Sequence, residues 1–356
     1  MAESFPVAVF DGHNDTLLRL IEKMTNDPVA DFIRGDGLGH IDLPRARKGG
    51  LAGGFFACFS PSPRSGSGFA DGMSGASYDV PLPPRLDEAV ARRYVARMIS
   101  LLARIERHSE GALRVCRSGR EVRAAIAEGV FAVLLHIEGA EAIDPELAML
   151  DVLHAAGLRS LGPVWSRPTI FGEGVPFRFP ATPDIGGGLT EAGKALVKRC
   201  NELGILVDLS HLNAAGFDDV ASLTDAPLVA THSNAHALCP HARNLTDAQL
   251  AAIGASKGMV GLNFATAFLR EDGQMDRRTP LETMLRHLDH LVEKAGEDCV
   301  GLGSDFDGAE IPQEIRDVAG LPHLVAAMRA HGYGEPLIRK ICLENWLGVI
   351  DRTLKD

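Results

Sequence analysis

Eight short apolar runs, bounded by turn residues, punctuate the chain at roughly 7–10, 52–58, 130–137, 158–165, 205–210, 227–231, 259–264 and 299–304. They are short and rich in β-branched residues, so they predict buried strands. Between them apolar positions recur at three- and four-residue steps. Val95, Met98, Leu102 and Ile105 do so behind Asp87, and Leu281, Met284, Leu285, Leu288, Leu291 and Val292 do so ahead of Gly296. That spacing predicts helices packed by one face, the second closing at its glycine. Ser118-x-x-Glu121 and Thr246-x-x-Gln249 predict two more helix starts, each with a capping box. Eight buried strands alternating with helices, with no linker, predict an α/β chain: one (β/α)8 TIM barrel domain over residues 1–356. A doubly wound open sheet is the rival. It is disfavoured because polar residues close many strands instead of gathering at one switch point.

Two connections interrupt this rhythm. Residues 61–84 are rich in Ser, Gly and Pro, and residues 166–188 in Pro, Gly and Phe. Both follow strands, so both belong to the barrel face where strands end, and long irregular connections there serve as lids or binding loops, with plain surface excursions as the alternative. Phe171, Phe177 and Phe179 are expected to be exposed on the second loop and to cover something.

The polar residues that end the strands carry the chemistry. His13 and Asp15 close the first run, Glu138 the third, His211 the fifth, His232 the sixth, and Asp305 with Asp307 the eighth. Alternate residues of a strand share a face, so His13 and Asp15 point together. In a barrel all these ends converge on one mouth. Each residue alone has a plainer explanation, such as a packed imidazole or a carboxylate capping a turn. Five of them in the same place relative to their strands predict a metal site, and a carboxylate with two oxygens can bridge a pair of ions. His136 lies deeper on the face of Glu138 and is expected either to support the site or to pack. His236 and His241 are expected to be surface or structural residues.

Composition narrows the partners. A formal charge of −11 disfavours nucleic acid and anionic membranes. The six cysteines are scattered, without a C-x-x-C pair, and read as reduced core thiols. No apolar run reaches the ~18 residues of a membrane span, and the first strand begins too early for a secretory signal. A cytoplasmic location is the expectation, and homo-oligomer formation is left open.

Asp11-Gly12-His13-Asn14-Asp15, His136-Ile137-Glu138-Gly139, Asp208-Leu209-Ser210-His211, Thr231-His232-Ser233-Asn234-Ala235, Arg243-Asn244 and Gly303-Ser304-Asp305-Phe306-Asp307-Gly308 follow one another in an order that resembles the membrane (renal) dipeptidase family. These are the M19 metallopeptidases of the amidohydrolase superfamily, and the resemblance runs to Glu344-Asn345. It implies a dipeptidase acting on small dipeptides. His13, Asp15 and Glu138 would bind one zinc, and Glu138, His211 and His232 the other. Asp305 would be the proton-shuttling aspartate and Arg243 the holder of the substrate carboxylate, a task suited to a guanidinium fork. Manganese or cobalt would also suit these ligands.

The chain departs from the animal enzymes at two positions. Trp165 stands where they carry a histidine near the scissile carbonyl, and Ala265 where they have a tyrosine near the substrate carboxylate. A bacterial branch with Trp-Ser-Arg-Pro after the fourth strand is similar to this chain. Trp165 is therefore expected at the substrate, and Arg167 is a candidate helper of the oxyanion. The alternative activity is dinuclear hydrolysis of another small amide or a lactone, for example N-acyl amino acids. A non-enzymatic metal-binding protein would be expected to have lost a ligand or Asp305, and all are present.

Overall fold

The computed structural model describes residues 6–22, 27–63 and 72–355. Its parallel strands are β1 (Val9–Asn14), β2 (Leu51–Phe59), β3 (Phe131–Glu138), β4 (Leu158–Gly162), β5 (Leu206–Val207), β6 (Val229–Ala230), β7 (Met259–Leu262) and β8 (Val300–Leu302). Each pairs with its chain neighbour, β1 also pairs with β8, and the parallel bridge Asp208–Val229 joins the open ends at β5 and β6. The eight strands alternate with helices as a (β/α)8 TIM barrel.

β3 shows why the runs read as apolar on both faces. All eight of its residues are buried, because barrel interior lies on one side and helices on the other. Outside, Val133, Leu135 and Ile137 join the cluster that contains Met98, Leu102 and Ile105 of the helix Glu88–His108. Inside, Phe10, Phe55, Leu134, Leu206, Val229 and Met259 gather around Trp346 of the C-terminal helix Asn345–Thr353. The Trp346 indole donates to Leu302 O at 2.9 Å, and its ring meets Phe55 at 5.5 Å. A packed aromatic plug therefore fills the barrel end opposite the strand termini. Truncating such a side chain typically costs about 3–5 kcal/mol.

The predicted caps form with one difference. Thr246 and Gln249 make the reciprocal box. Ser118 accepts from Glu121 N, but the Glu121 carboxylate reaches back to Arg117 N at 2.6 Å, one residue short of the cap. A ninth strand, Leu113–Cys116, pairs with the first half of β3. It is four residues long, and only its first and last are fully buried, so its apolar signal is weak.

The two long connections are not separate excursions. Tyr78–Val80 from the first and Phe177–Phe179 from the second pair antiparallel and form a strap across the barrel mouth. Phe177 and Phe179 are consequently buried, and Phe171 is buried separately in the main core, so none of the three stands exposed. The middle of the 61–84 connection, residues 64–71, lies outside the described residues. The six cysteines are free and buried. Among the described residues no helix is long and apolar enough to cross a membrane.

Candidate metal centre and active site

β1 ends with His13 and Asp15 at the mouth, and β3 ends with Glu138 beside them. The turns after β5 and β6 add His211 and His232. Glu138 Oε1 lies 3.1 Å from His211 Nε2, 3.4 Å from His232 Nε2 and 3.7 Å from His13 Nε2. His13 Nε2 is also 3.6 Å from Asp15 Oδ2, and the Nε2 atoms of His211 and His232 are 3.2 Å apart. Ligands of a tetrahedral ion with bonds near 2.0–2.1 Å stand about 3.3 Å from one another. The donors group as Glu138, His211, His232 and as His13, Asp15, Glu138, with Glu138 common to both.

The chemistry of these donors supports a cation. Both ring nitrogens of His13 and Oδ1 of Asp15 are buried without a hydrogen-bond partner, a state buried polar atoms rarely tolerate. Burial disfavours an imidazolium, yet the carboxylates of Glu138, Asp15 and Asp305 overcome it and lift His13 to about 10. The pocket thus calls for positive charge at this point. Burial pushes His211 and His232 well below the usual histidine range, reinforced by Arg243 and His13, so both rings are neutral. Burial raises Glu138 well above the usual carboxylate range, a cost that a divalent ion would remove.

Strain and hydrogen bonds aim the loop residues. His211, Asp305 and Asp307 have φ of 67°, 57° and 67°, a left-handed backbone that non-glycine residues adopt at a cost and that clusters at functional sites. Asp305 is pinned by its N–H to His13 O at 3.0 Å and by Asn263 Nδ2 to its Oδ2 at 3.0 Å. Burial raises its pKa. Gly308 lies against both acids: a Cβ there would fall 2.1 Å from Asp15 Oδ2 and 2.6 Å from Asp305 Oδ1. His136 bonds Ser160 Oγ through Nδ1 at 2.9 Å and packs edge-on against the His13 ring.

Above these groups lies a cavity of about 490 Å³ with Asp15, Glu138, His211 and Asp305 on its floor and Phe59, Trp165, Phe177 and Phe268 on its walls. Trp165 lines this cavity, its indole 5.8 Å from the His211 ring and 5.0 Å from Phe59. Arg167 does not face the cavity as a spare donor. It is fully buried, with Glu141 Oε1 at 2.7 Å, Ser60 O at 2.8 Å and Ser62 Oγ at 2.8 Å, and it braces the Trp165 and Phe59 rings from behind.

Arg243 is buried, and its Nη2 donates to His232 O at 3.0 Å while its guanidinium lies 5.4 Å over Phe268. Its Nε has no partner, and among the described residues no carboxylate comes within 4.0 Å of it. Burial lowers Arg243 to about 10, so it remains a cation at neutral pH. His241, read as surface or structural, is a buried neighbour of Arg243. Its Nδ1 accepts from Arg243 N at 3.0 Å, and burial pushes its pKa down to about 3. Its place in His241-Ala242-Arg243 was the available signal, but nothing in the pattern marks that turn as interior.

The chain as a whole is similar to known proteins. A metallopeptidase from Rhodobacter sphaeroides, solved with a phosphinate mimic of the dipeptide L-Ala-D-Ala, is 57% identical with a TM-score of 0.96, covering 98% of this chain and 99% of that one. An uncharacterised protein in the pqqA 5' region of Klebsiella pneumoniae is 49% identical over 252 residues, 71% of this chain and 93% of its own. The dipeptidase tcpJ of Claviceps purpurea is 27% identical over 349 residues, 97% of this chain and 77% of its own. The family model for membrane dipeptidase (peptidase family M19) matches residues 3–355. The chain therefore belongs to the membrane dipeptidase family, peptidase family M19, as a metallo-dipeptidase.

Proposed function

We propose that this protein hydrolyses small dipeptides at a dinuclear centre held by His13, Asp15, Glu138, His211 and His232. The observation that carries this reading is Glu138 Oε1, placed within 3.7 Å of three imidazole Nε2 atoms and shared by both donor groups. Zinc suits the mixed nitrogen and oxygen donors, and manganese or cobalt would also bind them. Held by these residues, divalent ions would supply an activated water, its pKa lowered from ~15.7 toward ~7, and Lewis-acid polarisation of the scissile carbonyl.

The chain's own residues supply the rest. Asn263 occupies Asp305 Oδ2, which leaves Oδ1 to take a proton and return it to the departing amine. The raised pKa of that buried carboxyl favours such a two-way role. Arg243, a cation with an unpartnered Nε, receives the substrate's terminal carboxylate. Trp165 and Phe177 wall the cavity and exclude water from it. The phosphinate bound by the Rhodobacter sphaeroides relative mimics the dipeptide L-Ala-D-Ala, so L,D-dipeptides belong in the substrate panel.

Purified protein should carry two equivalents of divalent metal and hydrolyse L,L- or L,D-dipeptides in preference to N-acyl amino acids and lactones. Turnover of the latter two with inert dipeptides would replace this reading by the alternative activity.

A further inference from the structure

The three site imidazoles are supported unequally behind their metal-facing nitrogens. His13 Nδ1 has no partner, and His211 Nδ1 meets a hydroxyl, Ser166 Oγ at 2.8 Å. His232 Nδ1 lies 2.8 Å from Thr231 Oγ1, whose O–H in turn points 2.6 Å to Asp208 Oδ2. Asp208 is itself held, its Oδ1 accepting from Thr231 N at 2.8 Å and Ser210 N at 3.0 Å. The barrel accommodates Thr231 closely. A Cβ at Gly12, Gly261 or Gly303 would fall 2.4, 2.0 and 1.9 Å from its carbonyl oxygen, so three other strands leave room for this one residue.

A hydroxyl has one proton. Thr231 spends it on Asp208, so Thr231 Oγ1 can only accept from His232, and the ring must carry its proton on Nδ1. Nε2 is then an obligate lone pair facing Glu138 Oε1. Asp208 also stands close enough to His13 and His232 to count as a ligand by proximity, but both its oxygens are engaged, and it works through Thr231.

We infer that Thr231, oriented by Asp208, is a positioning residue that locks His232 in its metal-binding tautomer and thereby sets the affinity of one of the two metal positions. This rests on the dinuclear reading above. The position that uses His232 depends on the chain Asp208–Thr231–His232, whereas the His13–Asp15 position does not.

Two variants test it. Thr231→Val keeps the shape and removes the hydroxyl. Asp208→Asn goes further. Its Oδ1 must still accept from two N–H groups, so its Nδ2 faces Thr231 Oγ1 as a donor and turns the threonine proton onto His232 Nδ1. That forces the ring proton onto Nε2, where the metal belongs. Metal content is read by mass spectrometry after dialysis against a graded chelator, and the His232 tautomer by nitrogen NMR of metal-free protein. One equivalent should weaken about 10–100-fold in Thr231→Val, and at least as much in Asp208→Asn, with the second retained. Thr231→Ser should restore both. Metal-free wild type should show an Nδ1–H His232, and Asp208→Asn an Nε2–H ring. Should Thr231→Val fail to fold, the Asp208→Asn titration and the wild-type tautomer decide the matter alone. Wild type with two equivalents and variants with unchanged affinity, or an Nε2–H ring in the wild type, overturns this inference only. Wild type that takes up no divalent ion overturns the dinuclear reading as well.

Discussion

The floor of the cavity and the strap above it are built on opposite plans. The floor is polar, fixed by strand ends and by hydrogen bonds between distant strands, such as Ser304 N and Oγ to Asp11 at 2.7 and 2.8 Å. The strap is aromatic and held by ring contacts, with Phe177 stacked on Phe268 at 6.0 Å and a backbone hook from Ala242 N to Arg178 O at 3.1 Å. The floor spends stability on buried charge, while the strap gains it from apolar burial. Chemistry should therefore be intolerant of change on the floor, and substrate preference should be tuned in the strap.

The strongest way to break this contrast is Glu138→Gln. Losing the shared anion should strip both metals, and turnover should fall by at least about 10⁴-fold, on the scale of losing metal activation outright. A variant that kept its metal and rate would place the bridge elsewhere. Asp305→Asn should retain metal while kcat falls about 10²–10⁴-fold, and an almost unchanged kcat would remove Asp305 from proton transfer. Arg243→Ala should lower kcat/KM for free dipeptides by roughly 10–150-fold, the worth of a charge-assisted hydrogen bond, mainly through KM. Equal losses on C-terminally amidated substrates would show that Arg243 does not bind the carboxylate.

Metal uptake should depend on pH with a definite sign. Metal-free His13, lifted to about 10 by Glu138, Asp15 and Asp305 against the effect of burial, is protonated at neutral pH and must lose that proton to become a ligand. Affinity should therefore rise with pH, by about tenfold per unit between pH 6 and 8 for one displaced proton. Calorimetric titration in buffers of different ionisation enthalpy counts the protons released, and pH-independent binding would contradict the charge environment described here. The smallest effect belongs to the strap. Tyr78 donates to Gly273 O at 2.6 Å, so Tyr78→Phe should cost about 1 kcal/mol in thermal stability, with KM raised a few-fold and kcat nearly unchanged. A large loss of kcat would mean that strap and floor act as one unit.

This division also explains what could be read from the residues. Floor positions were legible because a strand end is a local signal, and a barrel brings every strand end to one place. His13, Asp15, Glu138, His211, His232 and Asp305 all follow from that rule. Trp165 and Arg243 stood out through family resemblance, since one follows a strand by three residues and the other lies in a turn. The strap was invisible: Tyr78 and Phe179 become partners only because two irregular connections happen to cross the same mouth. Phe177 and Phe179 looked exposed for that reason, and Arg167 looked available although Glu141, Ser60 and Ser62 already claim it.

By itself, the order of residues determined the alternation of strands and helices and the identity of the polar groups that end each strand, because both arise from periodicities of two and 3.6 residues within single elements. Only the tertiary structure decided which of those groups stand within ligand distance of one another, which hydroxyl meets the His232 ring, and what covers the site. Those outcomes depend on ångström-scale distances between segments far apart in the chain, set by barrel closure at Asp208–Val229 and by packing around Thr231.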